Sequence, residues 1–143
     1  MGSIMLLCRQ SDLIEVRRAD NRGKGGRGVF ATRDIPADTL IERVPVLLIP
    51  RQQVFGDSEI SRRATFISWY VFEWEGMTKR DYVALALGYA SIYNHSFDPN
   101  ARVERHAPDI LEIHSRRAIP EGEEIFISYL GEAEKKAVGF EVH

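Results

Sequence analysis

Residues Asn94–Asn100, with the sequence NHSFDPN, form the most informative stretch of this chain. They follow the apolar run Tyr82–Tyr93, whose alanine and leucine content predicts a helix. Because Asn, Asp and Pro favour tight turns, composition alone predicts a helix-exit loop with Asn94 as its cap. No second His or Cys lies at metal-ligand spacing from His95, which favours a structural histidine over a metal ligand.

A glycine-rich segment lies earlier in the chain. Residues Gly23–Gly28, with the sequence GKGGRG, satisfy the pattern GxGxxG of dinucleotide-binding loops. Such a loop must open a helix, whereas the residues that follow, Val29–Thr32, are β-prone and Pro36 comes soon after. A Walker loop is excluded because no Lys-Ser or Lys-Thr pair follows the glycines. Two interpretations stay open: a backbone loop that approaches a ligand closely, and a plain connection between strands.

A third segment lies near the other end of the chain. Residues Gly122–Tyr129 read GEEIFISY, an acidic turn followed by a predicted strand over Ile125–Tyr129. A tyrosine at the end of a strand is usually a packing residue whose hydroxyl is satisfied by backbone or water. Taken alone, this segment predicts a strand and no chemistry.

The rest of the chain is mostly β-prone. Apolar residues at helical spacing predict one further helix over Ser58–Glu75. Alternating or β-branched runs predict four more strands, at Leu13–Arg17, Val29–Ala31, Leu40–Ile49 and Ile110–Ser115.

Composition limits the class of protein. The chain has 143 residues, of which 44% are hydrophobic and 28% are charged, as expected for one globular domain. A net charge of -2 gives no basic surface for phosphate backbones, so direct nucleic-acid binding is not expected. The single cysteine, Cys8, rules out an internal disulfide and a cysteine-built zinc site, and no zinc or other metal site is expected. The apolar stretch Ile4–Cys8 is too short for a signal peptide or a membrane span, so secretion is not expected.

Together and in this order, the three segments resemble the signature of the SET domain. Gly26–Ala31 is similar to the family's first motif, Asn94–Asn100 to its asparagine-histidine-serine motif and Gly122–Tyr129 to its terminal tyrosine motif. The resemblance covers residues 13–132. Its spacing is most similar to the minimal SET proteins of large algal viruses and their bacterial relatives.

The resemblance implies a mostly β fold with short helices, built from several small antiparallel sheets with a C-terminal pseudoknot. The SET domain is expected over residues 13–132. Residues 1–12 are interpreted as an N-terminal extension with a frayed or non-native start, and residues 133–143 as a C-terminal tail.

The resemblance also implies a site for S-adenosylmethionine. The backbone around Gly25, Gly26 and Arg27 would hold the methionine end of this cofactor, and Asn94 and His95 its amino and adenine parts. Tyr129 would be the central catalytic side chain. The full set of candidates comprises Tyr129, Tyr70 and Tyr93 as catalytic or channel-wall residues, and Gly25, Gly26, Arg27, Gly28, Asn94, His95, Tyr129 and Phe140 as cofactor-binding residues.

The implied activity is that of a protein-lysine N-methyltransferase acting on a histone or histone-like basic tail. It would work in the cytoplasm of a bacterium or virus-infected cell, or in the nucleus if a histone is the substrate. Two alternatives stay open: a catalytically inactive SET domain that binds a peptide or the cofactor, and an unrelated β-rich binding module. Without cysteines for a terminal zinc site, either the tail with Phe140 or the second subunit of a homodimer would close the active site.

Overall fold

The computed structural model describes residues 4–19, 24–56, 67, 70–74 and 82–128. Strands dominate these ranges, and the only α-helix within them, α1 (Arg51–Phe55), has five residues. A short 3-10 turn at Lys24–Gly26 precedes the second strand. The strands are β1 (Ile14–Arg18), β2 (Arg27–Ala31), β3 (Leu40–Pro50), β4 (Val71–Glu73), β5 (Tyr82–Ala86), β6 (Asn94–His95), β7 (Ala101–His106), β8 (Ile110–Ser115) and β9 (Glu124–Ile127).

The larger sheet has five strands in the order β4-β5-β3-β8-β7, and every neighbouring pair is antiparallel. Its centre is the long strand β3, which pairs with β5 on one side and β8 on the other. In β8, Leu111 and Ile113 are fully buried while Glu112 and His114 between and beyond them are only partly buried. This alternation is what a strand with one face on the core requires, and it confirms the strand predicted over Ile110–Ser115.

The smaller sheet has four strands in the order β1-β2-β9-β6. The pairs β1-β2 and β2-β9 are antiparallel, whereas β6 and β9 are parallel. Since the structure is mostly strand in several small, largely antiparallel sheets, it confirms the predicted fold class. The predicted pseudoknot also involves the chain after residue 128, which lies outside the described residues.

The helix predicted over Tyr82–Tyr93 is wrong. Residues Tyr82–Ala86 form β5, which is hydrogen-bonded to β4 on one side and β3 on the other, and the chain then turns through residues 87–92. Val83 and Ala84 are fully buried, so pairing on both edges and burial on both faces override the helical propensity of alanine and leucine. The helix predicted over Ser58–Glu75 is likewise wrong at β4, and residues 58–66 of that range lie outside the described residues.

The main core lies between the two sheets and is rich in isoleucine. Ile125 and Ile127 of β9 are fully buried, as is Ile113 of β8. Burial of each such side chain contributes about 1.5–3 kcal/mol to stability. A bridge between Ile35 and Ile119, with reciprocal N–H···O bonds of 2.8 Å, ties the turn before β3 to the turn before β9. Among the described residues, no helix is long and apolar enough to cross a membrane.

Candidate active site

The three segments singled out in the sequence meet in the smaller sheet. Strand β9 lies between the other two: Phe30 of β2 is opposite Glu124, and Asn94 of β6 is opposite Phe126. The contact continues past the end of β6, where the Ser96 N–H donates to the carbonyl of Ile127 at 3.0 Å. Segments that are far apart in sequence therefore share one hydrogen-bonded ladder.

The side chain of Asn94 connects all three segments. It is buried, and its Nδ2 donates to the Arg27 carbonyl at 2.9 Å and to Glu124 Oε2 at 2.7 Å. Those two bonds use both amide hydrogens, so any further hydrogen bond of this side chain must be accepted by Oδ1. The interpretation of Asn94 as a helix cap is wrong, because the residue lies in a strand and the preceding segment is not a helix.

Gly28 allows this arrangement because it has no side chain. A Cβ atom built at Gly28 would lie 2.3 Å from Glu124 Oε2 and 3.1 Å from Asn94 Nδ2. The first distance is far below a van der Waals contact, so even a methyl group would displace the Glu124 carboxylate from Asn94. Close approach of three chain segments explains the glycine at this position.

The turn before β2 presents its backbone. Gly25 and Gly26 have φ angles of 71° and 69°, in the left-handed region that favours glycine. The Gly26 carbonyl accepts a 3.0 Å hydrogen bond from the Ala19 N–H, which fixes the turn against the end of β1. A Cβ atom at Gly26 would meet no described atom within 4 Å. The backbone there is open to a ligand, as the ligand-approach interpretation requires, although its role in cofactor binding stays a prediction.

Asn100, the last residue of the second segment, fixes the backbone of β9. Its buried side chain accepts a 2.8 Å bond from the Phe126 N–H and donates a 2.9 Å bond to the Glu124 carbonyl. The Asn100 amide thus bonds both a donor and an acceptor of the β9 backbone. Sequence reasoning did not single out Asn100 as a separate site residue; its place at the end of the motif, after Pro99, was the available signal.

His95 lies beside Asn94 and is also buried. Its ring packs edge-on against Phe97, with centroids 4.6 Å apart and planes at 84°. Burial lowers the pKa of His95, because the charged form loses hydration. The ring therefore brings no positive charge to the site at neutral pH, while Phe97 leaves 59% of its surface exposed beside it.

A buried carboxylate that sequence reasoning missed lies on the other sheet. Glu42 of β3 accepts hydrogen bonds from the Tyr89 N–H at 2.8 Å and from the Tyr93 hydroxyl at 3.1 Å. Burial raises the pKa of Glu42 to about 7, against the opposing effect of these two donors. Burial and the neighbouring Glu42 charge raise the pKa of Tyr93 well above its usual value, so the phenol keeps its proton.

Alternation along β3 was the signal for this buried acid. Glu42, Val44 and Val46 share the core-facing side of the strand, and all three are buried. Gly88, with a φ of 61°, makes room for the carboxylate, since a Cβ atom there would lie 2.6 Å from Glu42 Oε2.

Of the three tyrosines predicted as catalytic or channel-wall residues, the structure describes Tyr93 and Tyr70. Tyr93 is fully buried and bonded to Glu42, whereas Tyr70 is half-buried in a turn just before β4, where its N–H donates to the Ile67 carbonyl at 3.0 Å. Their roles as channel walls stay predictions. Tyr129 and Phe140 lie outside the described residues, so their predicted roles are untested as well.

Comparison shows which known proteins this chain is similar to. The family model of the SET domain matches residues 26–130. A fission yeast protein, the Schizosaccharomyces pombe "Histone-lysine N-methyltransferase, H3 lysine-37 specific", is 33% identical over 118 residues, which cover 81% of this chain and 72% of that protein. A crystal structure of a Plasmodium falciparum protein proposed to be a histone methyltransferase superposes with a TM-score of 0.65 at 27% identity, covering 89% of this chain and 99% of the other.

Proposed function

This chain belongs to the SET-domain family and is a protein-lysine methyltransferase, and we propose that it transfers the methyl group of S-adenosylmethionine to a lysine in a histone or histone-like tail. The observation that carries the proposal is the bridge made by Asn94. Its side-chain amide donates hydrogen bonds to the carbonyl of Arg27, just after the glycine turn, and to the carboxylate of Glu124, the first residue of β9. The proposed cofactor-binding segments are thereby fixed to the strand that leads toward Tyr129.

The described residues suit the amino-acid end of S-adenosylmethionine. An ammonium group needs acceptors, and the Asn94 amide, through its bonds to the Arg27 carbonyl and Glu124, gathers carbonyl and carboxylate oxygens beside the glycine turn. The open backbone at Gly26 offers main-chain groups next to that position. When bound, the cofactor supplies a methyl group on a positively charged sulfonium. The protein must then position the acceptor amine and exclude water.

Lysine must reach the methyl group as a neutral amine. Its reference pKa is near 10.4, and an apolar channel next to a positive charge disfavours the ammonium form. The buried neutral ring of His95 and the exposed ring of Phe97 supply apolar surface near β6. Tyr129 is proposed to orient the amine through its hydroxyl. A net charge of -2 is compatible with a basic tail as the partner, although so small a charge steers association weakly.

The first test is labelled methyl transfer to a panel of basic peptides and intact histones. Because the fission yeast relative is named for lysine 37 of histone H3, peptides spanning that lysine go first, each with a matched peptide in which arginine replaces lysine. The proposal predicts transfer to at least one lysine peptide and none to its arginine partner. Calorimetry should show binding of S-adenosylmethionine to the protein alone. Absence of binding would contradict the cofactor assignment, and binding without transfer to any lysine would contradict the substrate class.

The Tyr129→Phe variant tests the catalytic role. We expect turnover to fall by more than about tenfold, or about 1.4 kcal/mol of transition-state stabilisation, while the Kd for S-adenosylmethionine changes little. Tyr82→Phe is the matched control, since Tyr82 is a partly exposed residue of β5 that loses the same hydroxyl. Turnover in Tyr129→Phe equal to that of Tyr82→Phe would remove Tyr129 from the mechanism.

A further inference from the structure

The hairpin β7-β8 carries two copies of the sequence Glu-x-His on one face. They are Glu104-Arg105-His106 on β7 and Glu112-Ile113-His114 on β8. Alternate residues of a strand point to the same side, and Glu104 is directly opposite Glu112 in the antiparallel register. The two imidazoles therefore flank the two carboxylates diagonally. We call Glu104, His106, Glu112 and His114 the His–Glu cluster.

The cluster brings its nitrogen and oxygen atoms together. His114 Nε2 lies 2.8 Å from Glu112 Oε1 and 3.5 Å from Glu104 Oε2. His106 Nε2 lies 3.2 Å from the same Glu112 oxygen and 3.6 Å from Glu104 Oε1. The candidate ligand atoms of Glu104, Glu112 and His114 all lie within 4.8 Å of one another. Three of the side chains thus converge on one small volume on the surface of the hairpin, and His106 adjoins them through its contacts with both carboxylates.

We propose that the His–Glu cluster is a binding site for Zn²⁺ or a similar first-row divalent cation. Four-coordinate zinc sites use bonds of about 2.0–2.1 Å to imidazole nitrogen and carboxylate oxygen, which sets neighbouring ligand atoms about 3.3 Å apart. The two imidazole nitrogens lie 2.8 and 3.2 Å from one oxygen of Glu112, and 3.5 and 3.6 Å from the two separate oxygens of Glu104, all close to that value. Two imidazoles and two carboxylates also provide a charge of -2, which matches a divalent cation.

Electrostatics favour a cation at this place. Like charges directly opposite on paired strands are destabilising, and Glu104 faces Glu112. Arg102 contacts Glu104 Oε2 at 3.0 Å and Arg43 contacts Glu112 Oε2 at 3.7 Å. Arg43 lies on the outer oxygen of Glu112. Arg102 contacts the Glu104 oxygen that lies 3.5 Å from His114, so Glu104 would bind the cation through Oε1, which lies 3.6 Å from His106.

Metal binding requires one local change. A cation binds a neutral imidazole and an ionised carboxylate, so bonds to the cation would replace the 2.8 Å contact between His114 Nε2 and Glu112 Oε1. Binding should therefore release protons and weaken as the pH falls. Since β7 is an edge strand of the larger sheet, a cation bound to both strands would clamp the hairpin that follows Asn100. This site departs from the sequence-based prediction of no zinc and no metal site, which weighed only cysteine sites and partners for His95.

The test is titration of EDTA-treated protein with Zn²⁺, followed by calorimetry, and with Co²⁺, followed by visible absorption. We expect one equivalent to bind, with the cobalt bands of a four-coordinate site. In His114→Gln and in Glu112→Gln, affinity should fall at least tenfold. Glu121→Gln is the matched control, because it removes one exposed carboxylate from the turn before β9, outside the cluster, and should bind as the wild type does.

Two results would overturn the proposal. One is absence of stoichiometric binding by the wild type, which would reduce the cluster to a network of imidazole–carboxylate contacts. The other is unchanged affinity in both cluster variants, which would place the metal elsewhere on the chain. To separate lost ligands from lost folding, Tm is measured for each variant with and without Zn²⁺. Zinc should raise the Tm of the wild type and of Glu121→Gln, and should raise it less in His114→Gln and Glu112→Gln. His106→Gln is a third cluster variant, chosen because its side chain is 48% exposed, and it should show the same smaller rise.

Discussion

Replacing Gly28 by alanine should disconnect the three segments of the site. The new methyl carbon would lie 2.3 Å from Glu124 Oε2, so the carboxylate must leave its 2.7 Å hydrogen bond with Asn94. A hydrogen bond to a charged group contributes about 1.5–3 kcal/mol. We therefore expect Gly28→Ala to lower the free energy of unfolding by about 2 kcal/mol and Tm by about 6 °C. Donor affinity should fall at least tenfold, because the Asn94 side chain loses the carboxylate that orients it.

A double-mutant cycle with Glu124→Ala isolates the cause. Thermal and urea unfolding give the stability of both single variants and the double variant, and calorimetry gives the Kd for S-adenosylmethionine. If the methyl group acts by displacing Glu124, Gly28→Ala should lower the free energy of unfolding only slightly in the Glu124→Ala background. The coupling energy between the two substitutions should then be about 2 kcal/mol. Wild-type stability in Gly28→Ala, or an equal cost of the methyl group with and without Glu124, would refute this reasoning.

Three further outcomes are expected. The folded state raises the pKa of Glu42 to about 7, so this group favours folding when it is protonated. As the pH rises from 4.5 through 7, the free energy of unfolding of the wild type should therefore fall by about 3 kcal/mol relative to that of Glu42→Gln. Urea unfolding at each pH measures this difference. Equal pH profiles would contradict the buried acid. Tyr93→Phe should make the free energy of unfolding depend more steeply on pH, because it removes a hydrogen-bond donor to the Glu42 carboxylate. A shallower pH profile would contradict this role of the Tyr93 hydroxyl. Asn100→Ala should lower stability by about 2 kcal/mol and weaken donor binding, whereas Asn100→Asp, which keeps the acceptor for the Phe126 N–H, should lose less.

Patterns of alternation predicted the strands well where one face is buried and the other is polar. The strand over Ile110–Ser115 was predicted with the observed bounds, because Leu111 and Ile113 alternate with polar residues. The run Tyr82–Ala86 gave no such pattern. It is the second strand of a sheet and is buried on both faces, so its residues are almost uniformly apolar. For such a short run, periodicity does not separate a buried strand from a helix.

The site was predictable to the extent that it follows from motifs. Residues Gly28 and Asn94 were both identified in sequence, and the structure brings them together. The acceptor that joins them, Glu124, was passed over because its role depends on a pairing between distant strands. Glu42 was missed for a related reason: its donors come from Tyr89 and Tyr93, and the turn that carries them was interpreted as part of a helix.

The position of β9 between β2 and β6 has a consequence for biosynthesis. A ribosome makes the glycine turn early and Glu124–Ile127 late, so the Asn94 amide cannot complete its contacts until most of the domain has emerged. Pairings between such distant segments form slowly because the intervening loop must first be closed. The proposed cofactor site therefore forms only after Glu124–Ile127 has inserted between β2 and β6, and a nascent chain that lacks this strand should be inactive.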